Sequence, residues 1–418
     1  MKLLFASDSF KGSLSSEKTV ELLSKAAEAV FGKCETFGVP VADGGEGTTD
    51  AVVQARKGEK VYVDVSGPLM EPVKAYYGKL SAKEAVLEMA QASGLPLVPE
   101  EKRNPLYTTT YGTGELVKAA LEAGFTDISI AIGGSATNDG GMGFARALGV
   151  RFLDEEGKEL EGKGEDLEKV RQIDTREMNP LARKAHFTVM CDVTNPLTGK
   201  DGATYTFGKQ KGGTPEILDR LEQGMENYRK VIAKNFGVDV NETPGTGAAG
   251  GLGAALNVFF DSEMKSGIET VLDLIGFDSL LEGVDLVVTG EGRTDWQSCF
   301  GKVMQGVGDR CLKHGVPAAA LCGGLGEGYD KIFEHGIDSI MTTVDGPMPL
   351  AEALDRAEEL YYAGAVRLFR LVKAGMKIQG KQIFSAQTPN TQNFGSLEDQ
   401  ALAAGAAQEF DDRGMTTE

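Results

Sequence analysis

Histidine and cysteine are scarce in this chain, whose 418 residues include 3 His and 5 Cys. The cysteines are scattered, odd in number and never spaced as C-x-x-C, and no histidine lies near a pair of them. Structural zinc sites draw their ligands from such pairs. We therefore expect no zinc site, and we expect the reduced thiols of a cytoplasmic protein.

Positive charge is also in short supply. The chain has 43 Lys and Arg against 62 Asp and Glu, a formal net charge of -19. Binding to nucleic acid or to an anionic membrane surface needs a basic face, so both kinds of partner are disfavoured. A small anionic substrate is not excluded, because a local pair of Lys or Arg can override the field of the whole protein.

Long apolar runs are missing. The segment MKLLFASDSFKG has one Lys followed by only four apolar residues, which is too short for the apolar region of a signal peptide. No other stretch approaches the ~20 apolar residues of a membrane-spanning helix. We therefore expect a soluble, cytoplasmic protein with no membrane partner.

The signatures of several enzyme classes are absent. The sequence has no G-x-x-x-x-G-K-[ST] and no H-R-D followed by D-F-G, which argues against P-loop enzymes and protein kinases. It also has no G-x-S-x-G and no H-E-x-x-H. Because His186, His314 and His335 lie away from the loops described below, we expect an aspartate rather than a histidine as any general base.

Glycine, in contrast, is abundant. The 55 glycines follow no collagen-like period, so they indicate many tight turns, or backbone that approaches a ligand closely. At both ends of the chain, apolar runs of strand length alternate with polar loops and helical patterns, which predicts an α/β fold. The strands predicted there are Lys2–Ala6, Phe37–Val41, Asp285–Thr289, Pro317–Leu321 and Ser339–Thr343. Helices are predicted from Ser15 or Ser16 to about Val30, and from about Leu350 to Val372.

The length of the chain exceeds one compact core, so two domains are expected. Its middle differs from its ends: Lys60–Leu80 alternates like a hairpin with a Gly-Pro turn, and strands at Asp127–Ile132 and Phe187–Cys191 end in polar loops. We predict a discontinuous domain formed by 1–60 and 283–376, with an inserted domain of 61–282. The tail, 377–418, lacks apolar periodicity and is expected to be loosely held.

Several loops that follow apolar strands combine glycines, a carboxylate and small hydroxyls. Phosphoryl transfer needs these parts, since Gly-rich backbone cradles phosphates, carboxylates hold Mg²⁺, and Lys or Arg neutralises developing charge. One such loop is weak evidence, whereas the recurrence of the same composition is stronger. After the first two strands, the candidates are Ser9, Lys11, Asp43 and Glu46, for which helix-capping and turn roles are the alternatives.

The loop GGSATNDGGMG, 133–143, carries the clearest local signal. Gly133 and Gly134 would let the backbone approach a ligand. A helix cap needs one small polar residue, whereas this loop offers four of them before a helical run. Those residues are Ser135, Thr137, Asn138 and Asp139. A ligand site is favoured over an elaborate cap.

The stretch CDVTNPLTGKDGATYTFGKQKG, 191–212, offers Asp192 and Asn195 for a metal or a substrate. Its lysines at 200, 209 and 211 could reach phosphates, although several are expected to be only solvated. The loop GTGAAGGLG, 245–253, has no preceding strand, so it lacks the context of a dinucleotide fingerprint. It could face a phosphate or pack closely against a helix, and its glycines are Gly245, Gly247, Gly250, Gly251 and Gly253.

The loop TGEGRTDWQSCFGK, 289–302, follows the strand DLVVT and places two acids and two bases around flexible glycines. Its position at a strand end favours an active-site loop, and mutual ion pairing is the alternative. The charged candidates are Glu291, Arg293, Asp295 and Lys302.

Taken in order, DSFKGSLS, ADGGEGT, GGSATNDGGMG, CDVTNPLTGKDGA, GTGAAGGLG and GEGRTDWQSCFGK closely resemble the bacterial glycerate kinase family over about residues 1–376. The resemblance implies a two-domain α/β glycerate-kinase fold, with a Rossmann-like parallel-sheet domain, an inserted α/β domain and an active site in the cleft between them. It also implies phosphorylation of D-glycerate by ATP, at the 2-hydroxyl, to give 2-phosphoglycerate.

On this hypothesis, Lys11 and Arg293 hold the glycerate carboxylate or neutralise the transferring phosphoryl group. Asp192 is the first choice to orient or deprotonate the hydroxyl, and Asp295 the second. The candidate Mg²⁺ ligands are Asp43, Glu46, Asp139 and Glu291. The remaining substrate- and phosphate-binding candidates are Ser9, Gly133, Gly134, Ser135, Asn138, Asn195, Gly245, Gly247, Gly250, Gly251 and Lys302.

Three other functions remain open on the sequence. Within kinases, the 3-hydroxyl of glycerate or another small hydroxy acid could be the acceptor. A nucleotide-binding oxidoreductase is disfavoured because the G-x-G-x-x-G lacks its strand. A non-catalytic ligand sensor on a kinase fold is disfavoured by the retained carboxylates and cations. The sequence also leaves a homo-oligomer open.

Overall fold

A computed structural model describes residues 1–10, 12–299 and 301–379. Its strands, in chain order, are β1 Lys2–Phe5, β2 Glu35–Gly38, β3 Glu59–Ser66, β4 Pro72–Lys79, β5 Glu84–Glu88, β6 Asp127–Ala131, β7 Arg151–Leu153, β8 Gln172–Asp174, β9 His186–Met190, β10 Asp261–Lys265, β11 Leu286–Thr289, β12 Ala318–Cys322 and β13 Ser339–Thr342. Its α-helices are α1 Ser16–Phe31, α2 Thr48–Ala55, α3 Ala90–Ser93, α4 Tyr111–Glu122, α5 Met142–Ala147, α6 Ala203–Phe207, α7 Pro215–Phe236, α8 Ala248–Phe259, α9 Gly267–Ile275, α10 Phe277–Leu280, α11 Val303–His314, α12 Leu350–Asp355 and α13 Ala357–Gln379. The α/β prediction is confirmed.

The first sheet is wholly parallel and has five strands in the order β13-β12-β11-β1-β2. Its central strands read as continuous apolar runs because helices cover both faces of such sheets. In β1, for example, Leu3, Leu4 and Phe5 are fully buried. Since all five strands point the same way, the loops after them gather at one edge, where open α/β sheets bind ligands.

The second sheet is mixed and has six strands in the order β10-β9-β6-β5-β4-β3. The predicted hairpin is confirmed: β3 and β4 pair antiparallel from Glu59 opposite Lys79 to Ser66 opposite Pro72. Within this sheet, the strands β5, β6, β9 and β10 pair in parallel. The loops after β6 and β9 therefore also meet at one edge.

The two sheets share apolar packing. Val86 of β5, Ala131 of β6 and Met190 of β9 belong to the same buried cluster as Leu4 and Val287 of the first sheet. This packing brings the carboxyl ends of β6 and β9 towards the loop that follows β2. The first sheet is built from residues 2–38 and 286–342 and the second from residues 59–265. The domain boundaries at 60/61 and 282/283 remain predictions.

Several predicted elements differ in extent from those observed. The second strand ends at Gly38 rather than Val41. The helix predicted from Leu350 is divided at Arg356, whose backbone leaves the helical region between α12 and α13. Ser15 caps α1, as predicted, by accepting a hydrogen bond from the Lys18 N–H at 3.2 Å.

Residues 1–370 form one compact unit and residues 371–418 a second, of which helical residues 371–379 are described. The predicted loose tail therefore lies mostly outside the described residues. Within the described ranges, no helix is both long and apolar enough to cross a membrane.

Candidate active site

Two adjacent cavities lie at the ends of the strands. The larger, of about 660 Å³, is bordered by the loops after β1, β11, β12 and β13. The smaller, of about 380 Å³, is bordered by the loops after β6 and β9. Asp43, in the loop after β2, lines both cavities. The structure therefore brings together most of the loops that the sequence singled out.

The larger cavity has a polar side and an apolar side. The polar side includes Asp8, Ser9, Asp43, Glu291, Arg293 and Lys302. The apolar side includes Phe10, Leu14, Leu325, Val344, Leu354 and Tyr361. The Phe10 and Tyr361 rings pack edge to face with centroids 5.2 Å apart, so this wall is fixed by aromatic packing. Such a cavity can hold a flat apolar group at one side and a charged group at the other.

Of the four charged candidates in the 289–302 loop, three line the larger cavity and Asp295 does not. Glu291 and Lys302 line the larger cavity, and burial raises the pKa of Glu291 although Ser298 donates to its carboxylate. Arg293 also lines it but has an exposed side chain, with Nε 3.7 Å from Asp295 Oδ2. Asp295 accepts the Gln297 N–H and lines neither cavity. Asp192 is therefore better placed than Asp295 to act on a ligand.

Asp192 lines the smaller cavity and lies close to Asp43, the residue that lines both cavities. Its Oδ1 accepts the Gly267 N–H at 2.9 Å. A Cβ atom on Gly267 would lie 2.0 Å from the Asp43 carbonyl oxygen, and one on Gly301 would lie 3.2 Å from Asp192 Oδ1. Burial is the main cause of a raised Asp192 pKa, and the nearby Asp43 charge adds to it. A carboxylate with a raised pKa at the wall of a cavity is suited to general-base chemistry.

The loop that carries Asp43 is held by a buried carboxylate. Glu88, 1% exposed at the end of β5, accepts the Gly47 N–H at 3.2 Å and the Thr49 N–H at 2.6 Å. These N–H groups lie at the start of α2, where the helix itself offers them no acceptor. The N-cap residue, Gly47, supplies no side-chain hydrogen bond. Glu88 thus fixes the Asp43 loop to the second sheet. Glu46, in the same loop, is exposed and lines neither cavity.

The smaller cavity is walled by Gly133, Gly134 and Ser135 on one side and by Asp192 and Lys211 on others. Lys211, in a short 3-10 turn, is 2% exposed. Its Nζ donates to Ser135 Oγ at 2.8 Å and to the Thr137 carbonyl at 2.6 Å. Burial lowers the pKa of Lys211 to about 7. Lys200 and Lys209, in contrast, are exposed.

Asn138 and Asp139 are fully buried and line neither cavity. The Asp139 carboxylate accepts bonds from the Thr110 N–H, the Thr110 hydroxyl and the N–H groups of Gly141 and Gly143. Asn138 donates to Thr204 Oγ1 at 3.2 Å. The Asp139 bonds to Gly141 and Gly143, at the start of α5, match the capping alternative, whereas Asn138 bonds a residue of α6.

The glycines of the 245–253 loop are packed against protein backbone. A Cβ on Gly247 would lie 2.0 Å from the Pro196 carbonyl oxygen, and one on Gly250 would lie 2.0 Å from the Thr137 carbonyl oxygen. A Cβ on Gly251 would lie 2.7 Å from Gly140 Cα, whereas one on Gly245 would lie 2.8 Å from the side-chain sulfur of Met264. The loop reaches the smaller cavity through Ala248 and Ala249.

Asn195 and Lys11 are not among the residues that line the two cavities in the described part of the chain. The Asn195 side chain donates to the Asp201 carbonyl at 2.8 Å and lines neither cavity. Lys11 lies outside the described residues, so its contact with substrate remains a prediction.

A model of the glycerate kinase family matches residues 3–373. The chain belongs to this family. It is 44% identical over 360 residues to a glycerate kinase of Bacillus subtilis (strain 168), covering 86% of this chain and 94% of that protein.

Two further glycerate kinase relatives bear on function and fold. The chain is 42% identical over 381 residues to the glycerate 2-kinase of Escherichia coli (strain K12), covering 91% of this chain and all of that one (100%). It also resembles the crystal structure of a protein assigned as glycerate kinase 2 from Salmonella typhimurium LT2, with a TM-score of 0.81 and 41% identity. That match covers 90% of this chain and 99% of the other. The predicted glycerate-kinase fold is confirmed.

One residue of this glycerate kinase site, Glu88, was not identified from the sequence, and Lys211 was named only together with Lys200 and Lys209 as a lysine that could reach phosphates. Glu88 ends an apolar strand and has no glycine-rich context, so no local signal marks it. Lys211 stands among glycines and other lysines, and the local sequence does not distinguish it from the exposed Lys209. Burial separates them, and burial depends on the folded chain.

Proposed function

We propose that the chain transfers the γ-phosphoryl group of ATP to the 2-hydroxyl of D-glycerate, giving 2-phosphoglycerate and ADP. The family and the relatives named glycerate kinase and glycerate 2-kinase support this reaction. The observation that carries it is the Asp192 carboxylate, with its raised pKa, at the wall of the smaller, glycine-lined cavity and close to Asp43, which also lines the larger cavity with its cations.

The larger cavity is the better candidate for the nucleotide. Its volume of about 660 Å³ lies in the range of small-molecule sites. Its apolar wall, including Phe10 and Leu354, suits a nucleobase, and Lys302 and Arg293 at the polar side suit phosphates. Ser9 would add a hydroxyl donor beside them. We propose that Lys302 neutralises charge that develops on the transferring group.

The smaller cavity, of about 380 Å³, suits the hydroxy acid. Gly133 and Gly134 let the backbone approach the substrate, and Ser135 offers a hydroxyl. Asp192 would accept the proton of the attacking hydroxyl as that oxygen bonds to phosphorus and ADP departs. In-line transfer needs donor and acceptor side by side, and this arrangement is supported by Asp43, which lines both cavities, and by Asp192 beside it in the smaller one.

A magnesium ion fits the carboxylates of the larger cavity. Mg²⁺ in kinases is bound by one or two carboxylates together with substrate phosphates and water, rather than by a complete protein cage. Asp43 and Glu291 line the larger cavity and would hold it. When bound, Mg²⁺ neutralises phosphate charge; we leave the exposed Glu46 and the buried Asp139 out of the proposed set.

The reaction class can be tested by steady-state assay of the full chain. With Mg·ATP, ADP release should depend on D-glycerate, and glycerol should be a much poorer acceptor. Other small hydroxy acids serve as comparison acceptors. If D-glycerate does not stimulate ADP release, the proposed substrate is rejected. If none of the tested acceptors stimulates ADP release, a non-catalytic ligand sensor is favoured.

A further inference from the structure

The smaller cavity contains one buried cation. Of the residues that line it, Lys211 alone carries a positive charge, whereas Asp43 and Asp192 are acidic. Within the described ranges, no carboxylate oxygen lies at salt-bridge distance from Lys211 Nζ. Its two hydrogen-bond partners, Ser135 Oγ and the Thr137 carbonyl, are neutral.

This environment is unfavourable for an ammonium group that stays without a counter-ion. Burying a charged group costs free energy unless an opposite charge pairs with it. An ammonium group has three donors, and the two acceptors at Ser135 and Thr137 leave one N–H for a ligand. The site is therefore suited to an anion that enters the cavity and pairs with the ammonium group.

The charges around the cavity decide where that anion binds. Asp43 and Asp192 repel a carboxylate, so a hydroxy acid is expected to turn its carboxylate towards Lys211 and its hydroxyl towards Asp192. The Gly133–Ser135 loop lies on the Lys211 side, because Ser135 accepts a bond from Nζ at 2.8 Å. The contact between Lys211 and the carboxylate would then both orient the acceptor and recognise its charge.

We propose that Lys211 binds the carboxylate of the acceptor and so selects a hydroxy acid over an uncharged alcohol. This inference rests on the proposed function and adds to it the group that recognises the acid. Lys211 is a substrate-binding residue in this account. Arg293 and Lys302 remain with the nucleotide.

Binding of the acceptor carboxylate should change the protonation of Lys211. The Lys211 pKa of about 7 means that the amine is partly neutral near that pH, and a bound carboxylate stabilises its charged form. Acceptor binding should therefore take up protons, increasingly so as the pH rises from about 6.5 to about 8. The other titratable groups that face it are Asp43, Cys191 and Asp192 in the cavity and Asp139 behind it. Proton uptake by a carboxylate would instead fall over that range.

The kinetic test compares Lys211→Met with Lys209→Met. Lys209 belongs to the same 3-10 turn but is exposed, so its variant controls for the loss of one charge. Lys211→Met should raise the KM for D-glycerate by about 10- to 100-fold, the range for a hydrogen bond to a charged group. The KM for ATP should stay unchanged, and the preference for glycerate over glycerol should fall by a similar factor. Lys209→Met should match the wild type.

An unchanged KM for D-glycerate in folded Lys211→Met would overturn the inference while leaving the kinase assignment intact. Absence of glycerate kinase activity in the wild type would instead reject the proposed function, and this inference with it. If the Met variant does not fold, calorimetry of D-glycerate binding to the wild type, in buffers of different ionisation enthalpy, decides. Uptake that grows with pH supports Lys211, and uptake that falls or is absent contradicts it.

Discussion

Replacing Asp192 by Asn is expected to lower kcat by about 10²- to 10⁴-fold, the usual contribution of a general base. The variant keeps the size of the side chain, and its amide oxygen can still accept the Gly267 N–H, so stability should change little. It cannot accept the proton of the substrate hydroxyl. The measurement is the steady-state rate of ADP formation at saturating Mg·ATP and D-glycerate, with thermal unfolding as a check on folding.

Asp201→Asn is the matched control. Asp201 lies nine residues further along the same stretch, is exposed and lines neither cavity, so its variant should retain full activity. Near-normal turnover in Asp192→Asn would refute the proposed role. Equal losses in both variants would indicate a general effect of charge rather than base catalysis.

The pH dependence of turnover tests the role of Asp192 as general base independently of the Asn variant's rate. Burial and Asp43 raise its pKa above the ordinary aspartate value of 3.8. The base acts when it is deprotonated, so activity should be present above this raised pKa and be lost as the pH falls through it. The residual activity of Asp192→Asn should lack that acidic limb.

Gly250→Ala is expected to destabilise the fold by about 2–5 kcal/mol, combining a left-handed backbone penalty with overpacking. Gly250 has φ +67°, and its Cβ would lie 2.0 Å from the Thr137 carbonyl oxygen and 2.7 Å from Asn138 Cα. Both neighbours are backbone atoms, which cannot move aside as a flexible side chain can. The free energy of unfolding in urea measures the effect.

Gly237→Ala separates the two causes. Gly237 ends α7 with φ +71°, close to that of Gly250, but no atom lies within 4 Å of its Cβ position. This control should lose only about 1–2 kcal/mol. Equal losses in the two variants would contradict the packing role of Gly250. Normal stability of Gly250→Ala together with a raised KM for ATP would restore the phosphate-binding role predicted from the sequence.

The sequence predicted the strands best where burial is continuous. β1, β11 and β12 are apolar throughout, and the β3–β4 hairpin alternates around Gly67 and Pro68. The polar edge strand β10, with the sequence DSEMK, was not predicted, because its pairing with β9 rather than its own composition defines it. The break at Arg356 was also missed, because the apolar periodicity continues on both sides of it.

For the site, the sequence identified loops better than individual residues. The rule that parallel strands present their loops at one edge applies to the loops bearing Asp43 and Glu291, whereas the loop bearing Asp192 follows a strand of the second sheet and approaches them through the packing between the two sheets. The sequence could not separate ligand-binding from capping residues, because glycines and small polar side chains serve both purposes. Asp139 illustrates this, since its partner Thr110 lies 29 residues away and no local pattern reveals it.

The identity of the phosphorylated product tests the central claim most directly. The 418-residue chain incubated with Mg·ATP and D-glycerate should give ADP and 2-phosphoglycerate in equal amounts. Phosphorus NMR identifies the product. A signal from 3-phosphoglycerate would keep the enzyme class but contradict transfer to the 2-hydroxyl. Absence of any phosphoglycerate would contradict the assignment of D-glycerate as the acceptor.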